Sequence, residues 1–97
     1  MRLVWARHAL SDRDNIFAYI EAENPSAAVH VDQKIALTVR RLVDFPESGR
    51  QGRIAGIREL VIPNTPYIAA YIVLEDRIRI LRVLHGAQIW PEDISTE

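Results

Sequence analysis

The sequence predicts an α+β domain in which a helical hairpin packs on a twisted, mainly antiparallel four-stranded sheet. Two observations support this prediction. Between residues 28 and 42 apolar residues recur every three or four positions, which is the period of an amphipathic helix. Three apolar runs follow between residues 57 and 85, separated only by short polar turns. With a short strand at the start of the chain, the element order is β-α-α-β-β-β.

The first strand and the first helix are predicted from residues 2–23. The segment "RLVW", Arg2–Trp5, has the composition of a short strand. In the helix that follows, Ile16 and Ile20 lie on one face. Ser11 and Asp14 have the spacing of a capping box, with Asp in place of the usual Glu or Gln, and this spacing is typical of a helix start.

A second helix follows the break "ENP", because Asn24 can cap it and Pro25 suits its first position. Its apolar stripe consists of Ala28, Val31, Ile35, Val39 and Leu42, and Phe45 continues it. Two helices joined by so short a connection form an antiparallel hairpin.

The second half of the chain reads as a loop and three strands. Phe45–Gly56 contains one proline and three glycines, which predicts a loop. Strands are predicted for Ile57–Ile62, Tyr67–Leu74 and Arg77–His85. The turns "PNTP" and "ED" between them favour antiparallel hairpins.

The last strand has apolar residues on both faces. Its even-numbered residues, Ile78, Ile80, Arg82 and Leu84, are expected to face the helices for most of its length. The apolar middle of the opposite face indicates that this face is also partly covered. The C-terminal tail, residues 86–97, a partner protein, or both could cover it.

Composition excludes several classes of protein. A chain of 97 residues predicts a single domain covering residues 1–97. Without cysteine there is neither a disulfide scaffold nor a thiolate zinc site, and three scattered histidines predict no metal and no cofactor. The start "RLVWARHAL" lacks the features of a signal peptide, and no stretch approaches the ~20 apolar residues of a membrane helix. A cytoplasmic protein without membrane contact is expected.

The net charge of −1 conceals an uneven layout. Residues 49–85 contain six arginines against three acidic residues, whereas residues 86–97 contain three acidic residues and no basic one. Arginine forks suit both phosphates and carboxylates. The alternative is that these arginines only solvate strand edges and turns.

The order of motifs resembles the RelE/ParE superfamily, the toxins of bacterial type II toxin–antitoxin pairs. The resemblance rests on "ENPSAA", "FPESGRQGR", "IRELVI", "TPYIAAY" and "ILRVLHGAQIWP", and it extends from Leu3 to about Pro91. It implies the fold predicted above and a cognate antitoxin that wraps and neutralises the toxin. It also implies that the pair represses its own promoter, so the toxin would meet DNA only indirectly, through the antitoxin.

Two activities occur in this superfamily. RelE-like members cut messenger RNA on the ribosome, and ParE-like members poison DNA gyrase. The resemblance implies a basic residue early in the middle strand of the nucleases, where this chain has Ile68, and an arginine after the last strand, where it has Gly86. These departures favour a ParE-like inhibitor of gyrase without an active site of its own.

Two alternatives stay open. In a RelE-like ribonuclease, His85 would transfer protons, and Arg58 and Arg82 would hold phosphate. If the chain is not a nuclease, His85 only ends the strand by hydrogen bonding. The second alternative is a toxin fold that has lost toxicity and persists as an antitoxin-binding module.

Several further residues are candidates for binding the antitoxin or the target: Arg50, Arg53, Arg58, Tyr67, Tyr71 and Trp90. The loop arginines would rim an antitoxin groove on the second face of the sheet and pair with acidic residues. Arg58 would otherwise need a salt bridge within the chain. The two tyrosines could stack on bases or be core residues with exposed hydroxyls. Trp90 could anchor the tail or be an exposed contact.

Overall fold

A computed structural model describes residues 1–96 as two helices on a five-stranded sheet. The elements are β1 (Arg2–Trp5), α1 (Arg7–Glu21), α2 (Pro25–Arg40) with a 3₁₀ turn at Arg41–Val43, β2 (Arg50–Gln51), β3 (Arg58–Val61), β4 (Tyr67–Val73) and β5 (Arg77–His85). The strand order is β1-β5-β4-β3-β2. β1 pairs parallel with β5, and the other neighbours are antiparallel. The predicted fold class is confirmed.

The sheet contains one strand more than the four predicted. Arg50 and Gln51, in the predicted loop, pair with Glu59 and Arg58 of β3. Both residues of β2 are exposed, so no alternation of apolar and polar residues could reveal the strand. It forms because the loop returns alongside β3, whose edge would otherwise be unpaired.

The first helix begins earlier than its capping signal predicts. α1 starts at Arg7, and Ala6 precedes it without a side-chain cap, so Ser11 lies inside the helix and the capping-box prediction is wrong. The Ala6 N–H donates to the carbonyl of Ile80 at 2.9 Å, so β1 pairing leads directly into the helix. The start of α2 is confirmed, because the Asn24 side chain accepts from the Ala27 N–H.

The main core lies between the helical hairpin and one face of the sheet. Its fully buried members include Ala9, Ile35, Val39, Leu42, Ile62, Tyr71, Ile78 and Ile80. The predicted stripe of α2 is thus confirmed up to Leu42. Its continuation by Phe45 is wrong, because the chain turns after the 3₁₀ helix and leaves this side chain 66% exposed.

A second apolar cluster, here called the outer cluster, covers the opposite face of the sheet. It consists of Ile57, Ile68, Ala70, Leu81 and Leu84 together with Trp90 and Ile94 of the tail. The tail therefore covers part of this face, as the apolar pattern of the last strand indicated. The Trp90 indole N–H donates to the carbonyl of His85 at 3.1 Å, so Trp90 anchors the tail.

A β-bulge changes which residues of β5 face the helices. Ala70 lies opposite Arg82 and Tyr71 lies opposite Ile80, so Leu81 is an extra residue in β5. Ile78 and Ile80 face the helices as predicted, whereas Leu84 packs in the outer cluster. The simple alternation is wrong there because a bulge shifts the side-chain phase by one residue.

Neither of the helices that the described residues form is long and apolar enough to cross a membrane.

Candidate functional site

His85 ends β5 at the point where the tail begins. Its ring Nδ1 accepts a hydrogen bond from the backbone N–H of Ala87 at 3.1 Å, and its backbone N–H donates to the side-chain oxygen of Gln88. The ring stands edge-on to Tyr67, with centroids 5.8 Å apart. These contacts hold the imidazole at the strand end, half-buried and facing the same side of the sheet as Tyr67.

Arg82 is tied to α1 rather than turned towards His85. Its Nε and a terminal nitrogen donate to the two carboxylate oxygens of Asp12 at 2.7 and 2.9 Å. One of these oxygens also accepts the Val83 N–H at 2.9 Å. The hydrogen bond from Asp12 raises the pKa of Arg82 above its ordinary value, against the opposing effect of burial.

Arg58 satisfies its guanidinium with backbone oxygens of the loop. It donates to the carbonyl of Gly49 at 3.2 Å and to that of Glu47 at 3.1 Å. Arg58 therefore has no acidic partner among residues 1–96, and two of its three guanidinium nitrogens are engaged by the loop. Its role in this structure is to fasten the loop to β3.

The three candidate catalytic residues are not brought together. Tyr67 lies opposite His85 and Tyr71 lies opposite Arg58, four residues apart on β4. At ~3.3 Å per residue, the backbones of His85 and Arg58 are separated by roughly 13 Å along the strand. Arg82 is held by Asp12. The structure therefore does not gather a base and two cations around one reacting phosphate.

The two tyrosines are core residues. Tyr71 is fully buried, and its hydroxyl donates to the carbonyl of Pro46 and accepts the N–H of Gly49, both at 2.9 Å. Its hydroxyl is thus bonded to the loop rather than exposed, and its ring offers no face to a base. Tyr67 is also buried. Burial raises the pKa of its hydroxyl above the ordinary value, and the nearby Tyr19 raises this pKa to a smaller extent.

The loop arginines surround a buried carboxylate. Glu59 is only 3% exposed, and it accepts hydrogen bonds from the side chains of Arg50 (3.3 Å) and Arg53 (3.1 Å) and from the Arg53 N–H (2.8 Å). Burial alone would raise the pKa of Glu59, but these hydrogen bonds outweigh it and hold the pKa below its ordinary value. The Arg53 guanidinium also lies 3.8 Å from the centroid of the Trp90 ring, so this cluster joins the loop to the tail.

Sequence reasoning missed Asp12 and the pairing of Glu59. A signal for Asp12 exists, because it lies three residues after Ala9 and four before Ile16, on the apolar face of α1. An acidic residue on a buried face requires a cationic partner. The signal for Glu59 is its place in the middle of the apolar run "IRELVI". Neither signal identifies which arginine is the partner.

Within residues 1–96 no group of three or more acidic or histidine side chains could hold a metal ion.

Comparisons with known proteins relate the whole fold to toxins. The sequence model of a protein family, the ParE toxin of type II toxin–antitoxin systems, parDE, matches residues 3–90. The chain is 44% identical to a candidate toxin, Y4kP of Sinorhizobium fredii, over 94% of either chain. It is 33% identical to the toxin RelE2 of Caulobacter vibrioides, over 91% of this chain and 98% of that one.

A solved structure has the same fold. The chromosomal ParDE toxin–antitoxin system from P. aeruginosa contains a chain that superposes with a TM-score of 0.79 at 31% identity, covering 86% of this chain and 92% of that one. The family model, the two relatives and the fold thus agree over nearly the full length. The chain belongs to the ParE toxin family of type II toxin–antitoxin systems.

Proposed function

We propose that this chain is a cytoplasmic, protein-binding inhibitor of DNA gyrase that a cognate antitoxin neutralises in a hetero-oligomer. It has no active site of its own. The observation that supports this function most is the separation of His85, Arg58 and Arg82, the three candidate catalytic side chains.

Cleavage of RNA by transesterification needs a base, an acid and cations around one phosphate. Here Arg82 is engaged by Asp12, and Arg58 is engaged by loop carbonyls on another part of the sheet. Removing a single preorganised donor from such a site costs about 10²–10³-fold in rate. A protein with these arginines engaged elsewhere is poorly suited to be a nuclease.

The two departures from the nuclease pattern, Ile68 and Gly86, support the same function. They contact each other, since a Cβ built on Gly86 would lie 3.1 Å from Cδ1 of Ile68. The Gly86 N–H also donates to the carbonyl of Pro66 at 2.8 Å. An arginine at residue 86 would require the end of the Ile68 side chain to shift by a few tenths of an ångström, so glycine is the residue that fits here without a shift.

The alternative function is a ribosome-dependent messenger-RNA endoribonuclease. One observation favours it: His85 is half-buried at a strand end, and its Nε2 makes no hydrogen bond to any of residues 1–96. A ring nitrogen in that position can exchange a proton with a bound ligand.

Pulse-labelling of DNA and protein synthesis after induced expression, in bacteria lacking the antitoxin, separates the two functions. Gyrase inhibition predicts that DNA synthesis fails first while translation continues, and that the His85→Ala variant is as toxic as the wild type. Early loss of translation, abolished by His85→Ala, would establish the ribonuclease. Harmless expression of both chains would indicate a non-toxic antitoxin-binding module.

We also propose that the antitoxin binds the outer face of the sheet beside the tail. Arg50 and Arg53 support this position, because their side chains are 59% and 40% exposed although they contact Glu59. An acidic segment of the antitoxin would contact the remaining donors of both arginines. A cocrystal in which the partner covers only the α1–α2 hairpin would refute this placement.

A further inference from the structure

A pocket of about 530 Å³ lies between the start of α1, the middle of β5 and the tail, and of the three candidate catalytic residues only Arg82 is among the described residues that line it. Three arginines line it, Arg7, Arg79 and Arg82, and the exposed His8 lies beside them. Asp93 is the only acidic residue among the described residues that line it. The pocket is therefore rich in cationic donors.

Arg79 contributes an unpaired guanidinium nitrogen to the pocket. It occupies β5 between Val4 of β1 and Ile72 of β4, so its backbone is fixed in the centre of the sheet. Its Nε is buried and has no hydrogen-bond partner among residues 1–96. Buried polar groups in folded proteins are nearly always paired, and an unpaired N–H on a charged group is especially unfavourable. Because the Arg79 side chain as a whole is only half-buried, its terminal nitrogens, rather than Nε, are the donors that an acceptor from another molecule could reach.

Two neighbouring features add positive potential. Arg7 is the first residue of α1 and forms no ion pair with the described residues. The first turn of this helix contains no acidic residue and no side-chain cap, so the positive end of the helix dipole faces the same region. Arg82 also lines the pocket, but its fork is already occupied by Asp12. Arg79 and Arg7 are thus the donors available to a ligand.

The character of the lining favours an acidic peptide over a nucleic acid. Asp93 already places a carboxylate at the pocket on an irregular, strand-free segment of the chain, and it forms no ion pair with the arginines there. The apolar side chains of Leu81 and Ile94 complete the wall. An apolar wall beside the arginines suits a peptide that carries apolar residues next to its carboxylates.

We propose that this pocket binds a carboxylate side chain of an acidic peptide segment of a protein partner, with Arg79 as the main donor and Arg7 as the second. Asp93 lines the same pocket without an ion pair to either arginine, so its charge repels a second carboxylate there. This inference goes beyond the proposed function, since it depends neither on the target of the toxin nor on the placement of the antitoxin beside Arg50 and Arg53.

NMR titration of the full chain tests the proposal directly, because the Nε–H group of each arginine gives its own signal. The probe is a blocked hexapeptide of alternating Asp and Ile, compared with its Asn–Ile analogue at equal ionic strength. The Arg79 Nε–H signal should shift and saturate with the acidic peptide only. Arg79→Gln should weaken binding about tenfold or more, since it removes charge-assisted hydrogen bonds.

Matched variants complete the test. Arg77→Gln, on the same strand but paired with Asp76, should leave the affinity unchanged. Asp93→Asn should tighten binding about twofold to fivefold by removing the carboxylate that repels the ligand. If Arg79→Gln fails to fold, as its backbone amide spectrum would reveal, Arg7→Gln at the exposed helix start takes its place and should weaken binding about threefold.

Three results would overturn the proposal. The first is an unshifted Arg79 signal at saturating peptide. The second is an equal loss of affinity in Arg77→Gln, which would mean non-specific charge attraction. The third is tighter binding of a single-stranded DNA decamer, or of inorganic phosphate, than of the acidic peptide, which would assign the pocket to phosphate instead.

Discussion

Two buried carboxylates, Asp12 and Glu59, bind arginines from other elements of the fold. β1 pairs with β5 only as far as Ile80, and beyond that point Asp12 of α1 accepts the Val83 N–H in place of a neighbouring strand. Asp12 also binds Arg82, which lies 70 residues away in sequence. Composition and spacing predict that such residues need partners, but a partner so distant follows only from the packed fold.

Removing the Asp12 carboxylate should strongly destabilise the protein. Asp12→Ala leaves the Arg82 guanidinium and the Val83 N–H unpaired, and we expect a loss of about 2–4 kcal/mol in the free energy of unfolding. Asp32→Ala is the matched control, since the Asp32 side chain is 33% exposed against 11% for Asp12, and its loss should cost less than about 1 kcal/mol. Urea denaturation measures both, and equal losses would contradict this role.

Glu59 should make stability depend on acid pH. Its folded pKa lies below the ordinary value of 4.5, so the unfolded chain binds the proton more tightly. The stabilisation is therefore complete above about pH 4.5 and is lost as the pH falls through the lower folded pKa. Glu59→Gln should cost about 1–3 kcal/mol at pH 7, and its deficit relative to the wild type should shrink below that range. A deficit that stays constant down to pH 3 would contradict the pKa shift.

The Tyr71 hydroxyl should stabilise the loop before β3. Tyr71→Phe removes its bonds to Pro46 and Gly49 in a fully buried position, and we expect a cost of about 1–3 kcal/mol. Tyr19→Phe, at a side chain that is 79% exposed, should have little effect on thermal unfolding. Equal midpoints for the two variants would show that the hydroxyl is dispensable.

The helices and the long strands were predictable because each follows its own period. The stripe of α2 and the caps Asn24 and Pro25 are local signals, and Arg77–His85 is observed with the bounds predicted. Three features have no local signal. β2 exists through pairing alone, α1 begins early because β1 leads straight into it, and the bulge at Leu81 depends on the register with β4.

The tail is an element of the fold rather than an appendage. Trp90 is 8% exposed, donates to the His85 carbonyl and lies against Arg53. We expect Trp90→Ala to lower the free energy of unfolding by about 2–3 kcal/mol and to expose the outer cluster to a hydrophobic dye. Ile89→Ala, next to it but 97% exposed, is the control and should change neither property. A Trp90→Ala variant as stable as this control would show that the tail is not anchored.

In the whole molecule, one sheet separates two apolar clusters, and charged residues join the parts around it. The residue types of the candidate site, including His85 and the arginines, were predictable from the sequence. Their arrangement was not predictable, because each arginine could pair with several carboxylates and carbonyls. Only the folded chain determines which of these acceptors lies within reach. Arg58, Arg82 and the loop arginines are engaged within the molecule, and this supports binding to another protein over catalysis.

The most direct test of the proposed inhibition of gyrase is to measure DNA supercoiling by purified gyrase in the presence of the purified chain or of its His85→Ala variant. We expect both proteins to inhibit supercoiling to the same extent and to leave broken DNA, since no proton-transfer group is needed. Undisturbed supercoiling, together with cleavage of ribosome-bound messenger RNA by the wild type but not by His85→Ala, would contradict inhibition of gyrase and establish a ribonuclease.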